Sequence, residues 1–395
     1  MKKPIPYGRQ HIDDQDVGAV VEALRSERLT QGPAVERFER AVADYCGAQH
    51  VVAVCNATCA LHLACRALGL GSGDLLWTSP ITFVASANCA RYCGADVDFV
   101  DIDPRTYNMS VEVLEAKLRQ AAAAGRLPKI VVPVHLAGQP CETERIGALA
   151  KHYGFSVIED ASHAIGADYQ DGKVGNCAYS DITVFSLHPV KIITTGEGGL
   201  LLTNRQDLFD RLALLRNHGI TRDAARMTAA PEGPWYYQQV ELGYNYRMTD
   251  IQAALGYSQM QHLDEFITRR RSLARRYDEL LAGLPVLTPW QHPDGRSAWH
   301  LYIIQLQNEA GAPSRREVVG QLHAAGIQVN VHYIPIHLQP YYSALGFRRG
   351  AFPAAEAYYQ RAITLPLFFD LTDSEQDYIA EQLHAAVQLR SSAGR

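Results

Sequence analysis

The chain has 395 residues, 47% of them hydrophobic and 20% charged, with a formal net charge of -5. This is the balance of an ordinary soluble globular protein, long enough for two domains of ~100–200 residues each. The slight acidity gives no reason to expect a nucleic-acid partner, and no stretch approaches the ~18 consecutive apolar residues of a membrane span.

The amino-terminal "MKKPIPYGRQHIDDQD" carries two lysines but lacks the apolar run of a signal peptide. The eight cysteines are scattered, and "CNATC" (55–59) and "CARYC" (89–93) space their pairs four apart rather than as a matched CxxC set. Reduced thiols of the cytoplasm are the expectation, not a disulfide framework or a zinc knuckle.

From about residue 35 to 205, short apolar runs alternate with helical patterns. "HVVAVC" (50–55) precedes the helix-like "ATCALHLACRALG"; "DLLWTS" (74–79) precedes "FVASANCARYCG"; "VDFVDI" (97–102) precedes "VEVLEAKLRQ"; and "KIVVPVHL" (129–136) precedes "ERIGALAKHYG". "FSVIED" (155–160), "DITVFSL" (181–187) and "GGLLLTN" (198–204) follow as strands. This alternation predicts an α/β unit with a largely parallel sheet, and ligand sites at the carboxyl ends of its strands.

Beyond about residue 250 the texture changes. "TDIQAALGYSQMQHLDEFITRRRSLARRYDELLAGL" reads as one long helix suited to joining two domains, and its arginines, in "TRRRSLARRYDELL" (268–281), read as a solvated helix face. A strand-like "WHLYIIQLQ", the helix "SRREVVGQLHAAG", the extended "IQVNVHYIPI" and a closing helix "DSEQDYIAEQLHAAVQL" describe a smaller α+β unit. The expected organisation is an N-terminal arm and helix over 1–30, a large α/β domain over 31–250 and a small domain over 251–395.

Within this frame one lysine stands out. Lys191, in "SLHPVKIITTGEGG" (186–199), is one of seven lysines against 30 arginines, and the 204 residues after it hold 19 arginines and no lysine. A guanidinium cannot act as a nucleophilic amine, whereas an ε-amine can lose its proton and condense with a carbonyl. Asp160 sits at the end of a buried strand, 31 residues earlier. Alone it could simply cap the next turn. Together, an amine that condenses with an aldehyde and a carboxylate that keeps a pyridine nitrogen protonated are the two parts of a pyridoxal phosphate site.

The phosphate of such a cofactor needs donors. "NATCALH" (56–62) places Ala57 and Thr58 at a strand-to-helix junction, where free N–H groups and the helix dipole attract an anion. Ser186, five residues before the lysine, can add its hydroxyl. Thr58 could instead serve only as the helix cap, and Phe83 taken alone reads as core. The glycines Gly196, Gly198 and Gly199 read as a tight turn between two strands. His332 and His337, five apart, fall on opposite faces of an extended segment interrupted by Pro335, so no metal site is expected.

The set "SPITFVASAN" (79–88), "EDASHAIG" (159–166), "FSLHPVKIITTGEGG" (185–199) and "LGYNYRMTDIQAALG" (242–256), in order and spacing, resembles the sugar-nucleotide aminotransferases of the DegT/StrS family over nearly the whole chain. The resemblance implies an aminotransferase of fold type I: a mostly parallel seven-stranded sheet with helices on both faces and a smaller C-terminal α+β domain. It also implies a homodimer whose active sites are shared between subunits. Lys191 falls on the family's cofactor-binding lysine and Asp160 on the partner of the pyridine nitrogen. His163 matches a residue near the cofactor's phenolic oxygen, and Phe83 the aromatic that stacks on the ring. Ala57, Thr58 and Ser186 match phosphate contacts, and Asn245 an asparagine that reaches the phosphate from the neighbouring subunit.

On the substrate side, Tyr7, the stretch Glu27, Arg28, Leu29 and Thr30, and the stretch Val331, His332, Tyr333 and Ile334 match nucleotide-sugar contacts of the family's pseudaminic acid branch. The resemblance thus implies L-glutamate as amino donor and a UDP-linked 4-keto sugar as acceptor, with another UDP- or dTDP-keto sugar as the alternative. A sugar dehydratase of the same fold lacks the lysine, so Lys191 argues against it. A cofactor-binding regulator without turnover is the rival of another class.

Overall fold

The computed structural model describes residues 4–307 and 312–388. Helices α1 (Asp14–Arg25) and α2 (Pro33–Cys46) lead into β1 (His50–Val54) and α3 (Ala57–Ala67). Then come β2 (Leu75–Thr78), α4 (Ala85–Tyr92), β3 (Asp96–Phe99), α5 (Val111–Ala123), β4 (Ile130–Val132), α6 (Thr143–Tyr153) and β5 (Ser156–Asp160). A short hairpin, β6 (Asp168–Tyr169) and β7 (Gly172–Lys173), precedes β8 (Ile182–Ser186) and β9 (Gly199–Thr203). Each apolar run singled out in the sequence between residues 50 and 204 is thus a strand.

Seven of these strands form one sheet in the order β1-β9-β8-β5-β4-β2-β3. From β3 to β8 all neighbours are parallel, and β9 enters antiparallel to both β8 and β1. The strands "IVV", "ITVFS" and "GLLLT" are buried along their whole length. Such continuous burial requires helices on both faces of the sheet, and that requirement is why these strands read as apolar runs rather than alternations. Apolar clusters on either side meet it, one including Leu61 and Leu63 of α3, the other Phe38 and Val42 of α2.

Past β9, helix α7 (Gln206–Arg216) leads to α8 (Asp250–Gln261) and α9 (Leu263–Leu280). The single long helix expected here is two helices, divided at His262, whose φ of -103° and ψ of 0° interrupt the helical run. Local chemistry explains where α8 begins. Thr249 and Gln252 form a reciprocal capping box, and Asp250 reaches out of the same turn to accept the Gly32 and Ala34 N–H groups, which caps α2 as well.

Two arginines of α9, Arg270 and Arg271, are not part of a solvated face, whereas Arg275 is exposed as expected. Arg270 is buried and donates to the carbonyls of Trp299 and Leu367, and Arg271 pairs with Asp168 while reaching the Ser297 carbonyl. These planar forks satisfy backbone oxygens that no strand reaches.

A second sheet, built from strands Val286–Leu287, Tyr302–Leu306 and Ala362–Leu365, packs under α10 (Arg315–Ala324) and the closing helix Asp373–Gln388. The segment 327–336, read as extended, forms no continuous strand. Isolated bridges tie Ile327 to Ile5 and Asn330 to Thr364, after which the chain turns to line the cleft described below.

Candidate active site

A cavity of about 700 Å³ opens at the carboxyl ends of β5 and β8. Strand order makes this position a natural crevice, because successive parallel strands deliver their terminal residues to one edge of the sheet. Asp160 closes β5 and Ser186 closes β8, and the loop beyond β8 carries Lys191 back over the opening. Ala57, Thr58, Phe83, His163, Tyr7 and the run Val331–Ile334 also line it.

Burial lowers the Lys191 amine from 10.5 to about 8, against a smaller opposing pull from Asp160. At pH 7.5 about one amine in four is then uncharged, against about one in a thousand for a free lysine. An amine poised in this way can act as nucleophile or base at neutral pH.

Asp160 is buried and held in place rather than free to swing. Ser86 Oγ donates to its Oδ2 at 2.6 Å, the Ser162 N–H donates to Oδ1 at 3.2 Å, and Thr82 Oγ1 lies 2.8 Å from Ser86 Oγ. A carboxylate fixed at the floor of an apolar cleft is equipped to pair with a cationic ring nitrogen.

The front of α3 is the anion cradle. Its cap is Asn56, whose Oδ1 accepts the Cys59 N–H at 2.9 Å, and not Thr58. Thr58, one of the first helical residues, is released from capping, and the N–H groups of Ala57 and Thr58 stay at the positive end of the helix dipole, where both residues line the cavity. Gly199 makes this approach possible: a Cβ there would lie 2.6 Å from the Asn56 carbonyl and 2.7 Å from the Ala57 nitrogen. The turn expected from the glycines is present, with Gly196 at φ +79° between β8 and β9.

Phe83 is 57% exposed, so it is a cleft wall and not core. An aromatic face left open beside a buried amine and carboxylate offers stacking to a flat ring. Opposite, His163 accepts the Ala137 N–H at Nδ1 and lies 3.2 Å from the Tyr333 hydroxyl at Nε2. Burial, then Lys191 and His332, holds His163 well below its ordinary value, and burial with Lys191 pushes His332 down to about 3. Both imidazoles are therefore neutral at pH 7.

His332 and His337 do not converge. His332 Nδ1 meets Thr364 Oγ1 at 2.8 Å, while His337 Nε2 pairs with Glu356 at 2.9 Å. That carboxylate is 19 residues along the chain from His337 and so was missed when the sequence near the histidines was read.

Glu27, Arg28, Leu29, Thr30 and Asn245 are exposed and are not part of this cavity. Their segments run beside one another: Thr30 bridges Thr249, the Asp250 N–H donates to the Leu29 carbonyl, and Asn245 bridges Asn217. Ser86, Asn56, His188, Glu197 and Gln339 were missed by sequence reading although they hold or line the site. For Ser86 a signal existed, since it lies three residues from Phe83 in the same quoted motif.

The cavity thus combines an amine poised near neutrality, a fixed carboxylate, an anion cradle and an open aromatic face, the parts needed to hold an aldehyde-bearing aromatic phosphate. Among the described residues, no helix is long and apolar enough to cross a membrane.

Comparison with known proteins agrees with this reading of the site. The spore coat polysaccharide biosynthesis protein SpsC of Bacillus subtilis (strain 168) is 38% identical over 387 residues, covering 97% of each chain. PseC of Helicobacter pylori, an aminotransferase involved in the biosynthesis of pseudoaminic acid, superposes with a TM-score of 0.89 at 31% identity, over 98% of this chain and 99% of that one. Spr1654 of Streptococcus pneumoniae in its PLP-form superposes with a TM-score of 0.86 at 30% identity, over 97% and 98%. Residues 10–384 match the DegT/DnrJ/EryC1/StrS aminotransferase family, and the chain belongs to it.

Proposed function

We propose that this chain uses pyridoxal 5'-phosphate to transfer an amino group from L-glutamate to C4 of a UDP-linked 4-keto-6-deoxy-N-acetylhexosamine. The product is UDP-4-amino-4,6-dideoxy-N-acetyl-β-L-altrosamine, of the pseudaminic acid pathway. The observation that carries the reading is Lys191, an amine lowered to about 8 across the cleft from the buried Asp160. The PLP-form of Spr1654 supports the cofactor, and the likeness to PseC supports the pathway.

When bound, the cofactor supplies an aldehyde for amines and an electron sink for the carbanion left when a Cα proton departs. The chain's own residues do the rest. The Ala57 and Thr58 N–H groups and the Ser186 hydroxyl would bind the phosphate, Phe83 would offer its face to the ring, and Asp160 would hold a proton on the pyridine nitrogen. His163 would stand near the phenolic oxygen. Lys191 would hold the cofactor through its Nζ, and that amine, once free, would be the base that takes the Cα proton of glutamate. The same residues serve the second half-reaction in reverse, with the keto sugar as acceptor.

Tyr7 and Val331, His332, Tyr333 and Ile334 contact the nucleotide sugar. Glu27, Arg28, Leu29, Thr30 and Asn245, exposed and away from this chain's own cavity, serve the site of a second copy in a homodimer. The reading divides the chain into an arm over 1–30, a cofactor-binding domain over 31–250 and a small domain over 251–395. Eight unpaired thiols fit a reducing compartment, the cytoplasm.

The test is a screen of UDP- and dTDP-linked keto sugars with glutamate, read by product mass. Mass gain only with the UDP-linked 4-keto sugar supports the proposal; amination of only a dTDP-linked 3-keto sugar overturns the substrate. Lys191→Ala should abolish turnover while its circular dichroism stays that of a folded protein, and near-normal amination by that variant would refute the lysine's role.

A further inference from the structure

Next to Phe83, whose ring lies 6.3 Å from that of Tyr333, the cleft wall contains a hydrogen-bond relay whose direction the backbone sets. The Ala137 N–H donates to His163 Nδ1 at 3.2 Å. A main-chain amide can only donate, so Nδ1 carries a lone pair, and the neutral imidazole must hold its proton on Nε2. Nε2 lies 3.2 Å from the Tyr333 hydroxyl. Tyr333 therefore accepts this bond, and its own proton remains to be donated elsewhere. Among the described residues the Tyr333 hydroxyl has no other partner, and Tyr333 lines the cavity.

The donor that starts the relay is a strained residue. Ala137 has φ 60° and ψ 3°, a left-handed conformation that a residue with a Cβ adopts only under constraint. Its surroundings over-determine it. Asn108 accepts the Leu136 N–H and donates to the Gln139 and Pro140 carbonyls, while the Ala137 and Gly138 carbonyls accept from Leu301 and Ala298. Gly138 follows at φ +99°, where a Cβ would lie 2.9 Å from both the His163 carbonyl and the Trp299 nitrogen. Strain held in this way beside a cleft is usually part of how the site is organised.

We propose that Tyr333 is a catalytic hydrogen-bond donor to the carbonyl oxygen of the keto acceptor, and that Ala137 and His163 are positioning residues that aim its proton into the cleft. As the amine adds to the carbon, the C=O π pair moves onto the oxygen and the phenol, keeping its own hydrogen, stabilises that charge; the oxygen then takes up the two protons that the nitrogen gives up and leaves as water. Burial, with Asp160 and Tyr7, raises the Tyr333 phenol, so it stays protonated across the working range. The inference rests on the acceptor being a keto sugar; loss of the Cα proton from glutamate, by contrast, makes and breaks no carbon–oxygen bond.

Two measurements on the holoenzyme test it. Long-range nitrogen-15 NMR of labelled histidine, with the His163 signal assigned by its loss in His163→Gln, should give a protonated Nε2 and a bare Nδ1. A protonated Nδ1 or an imidazolium at pH 7 would overturn the relay.

The second measurement follows two steps separately: exchange of the glutamate Cα proton with solvent deuterium, and amination of a UDP-linked 4-keto sugar. Tyr333→Phe should slow the sugar amination about a hundredfold, at least ten times more than it slows the Cα exchange. His163→Gln, whose amide can accept from Ala137 and donate to Tyr333, should largely keep the wild-type ratio of the two rates, whereas His163→Leu should shift it as Tyr333→Phe does. Equal slowing of both steps by Tyr333→Phe, or none, refutes the proposal. If the wild type aminates no keto sugar at all, the functional reading fails instead.

Discussion

Replacing Lys191 with Met should make the cofactor-free protein more stable, not less. Folding carries this amine from water into the cleft and lowers its pKa from 10.5 to about 8. Below pH 8 both folded and unfolded chains hold the proton, and the folded one carries the full penalty of a poorly solvated charge. Between about 8 and 10.5 the folded chain has released its proton while the unfolded chain retains it, so wild-type stability rises with pH through that window. Above it both forms are neutral and the penalty is gone. At about 1.4 kcal/mol per pKa unit the ceiling is about 3 kcal/mol, and water in the open cleft reduces the expected effect to about 1–2 kcal/mol. Urea denaturation of cofactor-free wild type and Lys191→Met at pH 7, 8.5 and 10 measures the difference directly. The variant's advantage should be present at pH 7 and shrink towards zero by pH 10. An advantage independent of pH would reflect only methionine packing, and a less stable variant at pH 7 would refute the claim that this amine is strained by its surroundings.

Other perturbations follow from the same geometry. Gly199→Ala should drive the Asn56–Ala57 backbone away from β9 and raise the apparent Kd for pyridoxal phosphate at least about tenfold, measured by equilibrium dialysis, because the added Cβ has backbone and not a flexible side chain in its way. Ser86→Ala removes a 2.6 Å charge-assisted bond to buried Asp160 and should cost about 2 kcal/mol of stability in urea denaturation at pH 7; unchanged stability would contradict it. Asp250→Ala uncaps the start of α2 and should cost about 1–2 kcal/mol in the same denaturation assay, with hydrogen exchange rising first at Gly32 and Ala34.

Much of this protein is legible in its sequence because the physics involved is local or periodic. The strands from residue 50 to 204 are continuous apolar runs because both faces of the sheet are covered, and such a run needs no knowledge of its neighbours to be read. Lys191 is conspicuous against a background of arginine, and Asp160 by its place at a strand end, so the pair on which the proposed chemistry rests could be named before any fold was seen. What the sequence does not carry is the identity of partners distant along the chain. That Asn56 rather than Thr58 caps α3 follows from which side chain the β1–α3 turn aims at the Cys59 N–H. That Arg270 of α9 is structural follows from carbonyls supplied by segments about 30 to 100 residues away. His337 finds Glu356, and Ser86 finds Asp160, only when the chain is folded. The tautomer of His163 depends on the backbone of Ala137, 26 residues upstream and held in a left-handed turn by Asn108. Residue types and periodicity thus determined the sheet and the reactive pair, whereas hydrogen-bond direction, which depends on angles and distances between remote segments, was decided only by the tertiary structure.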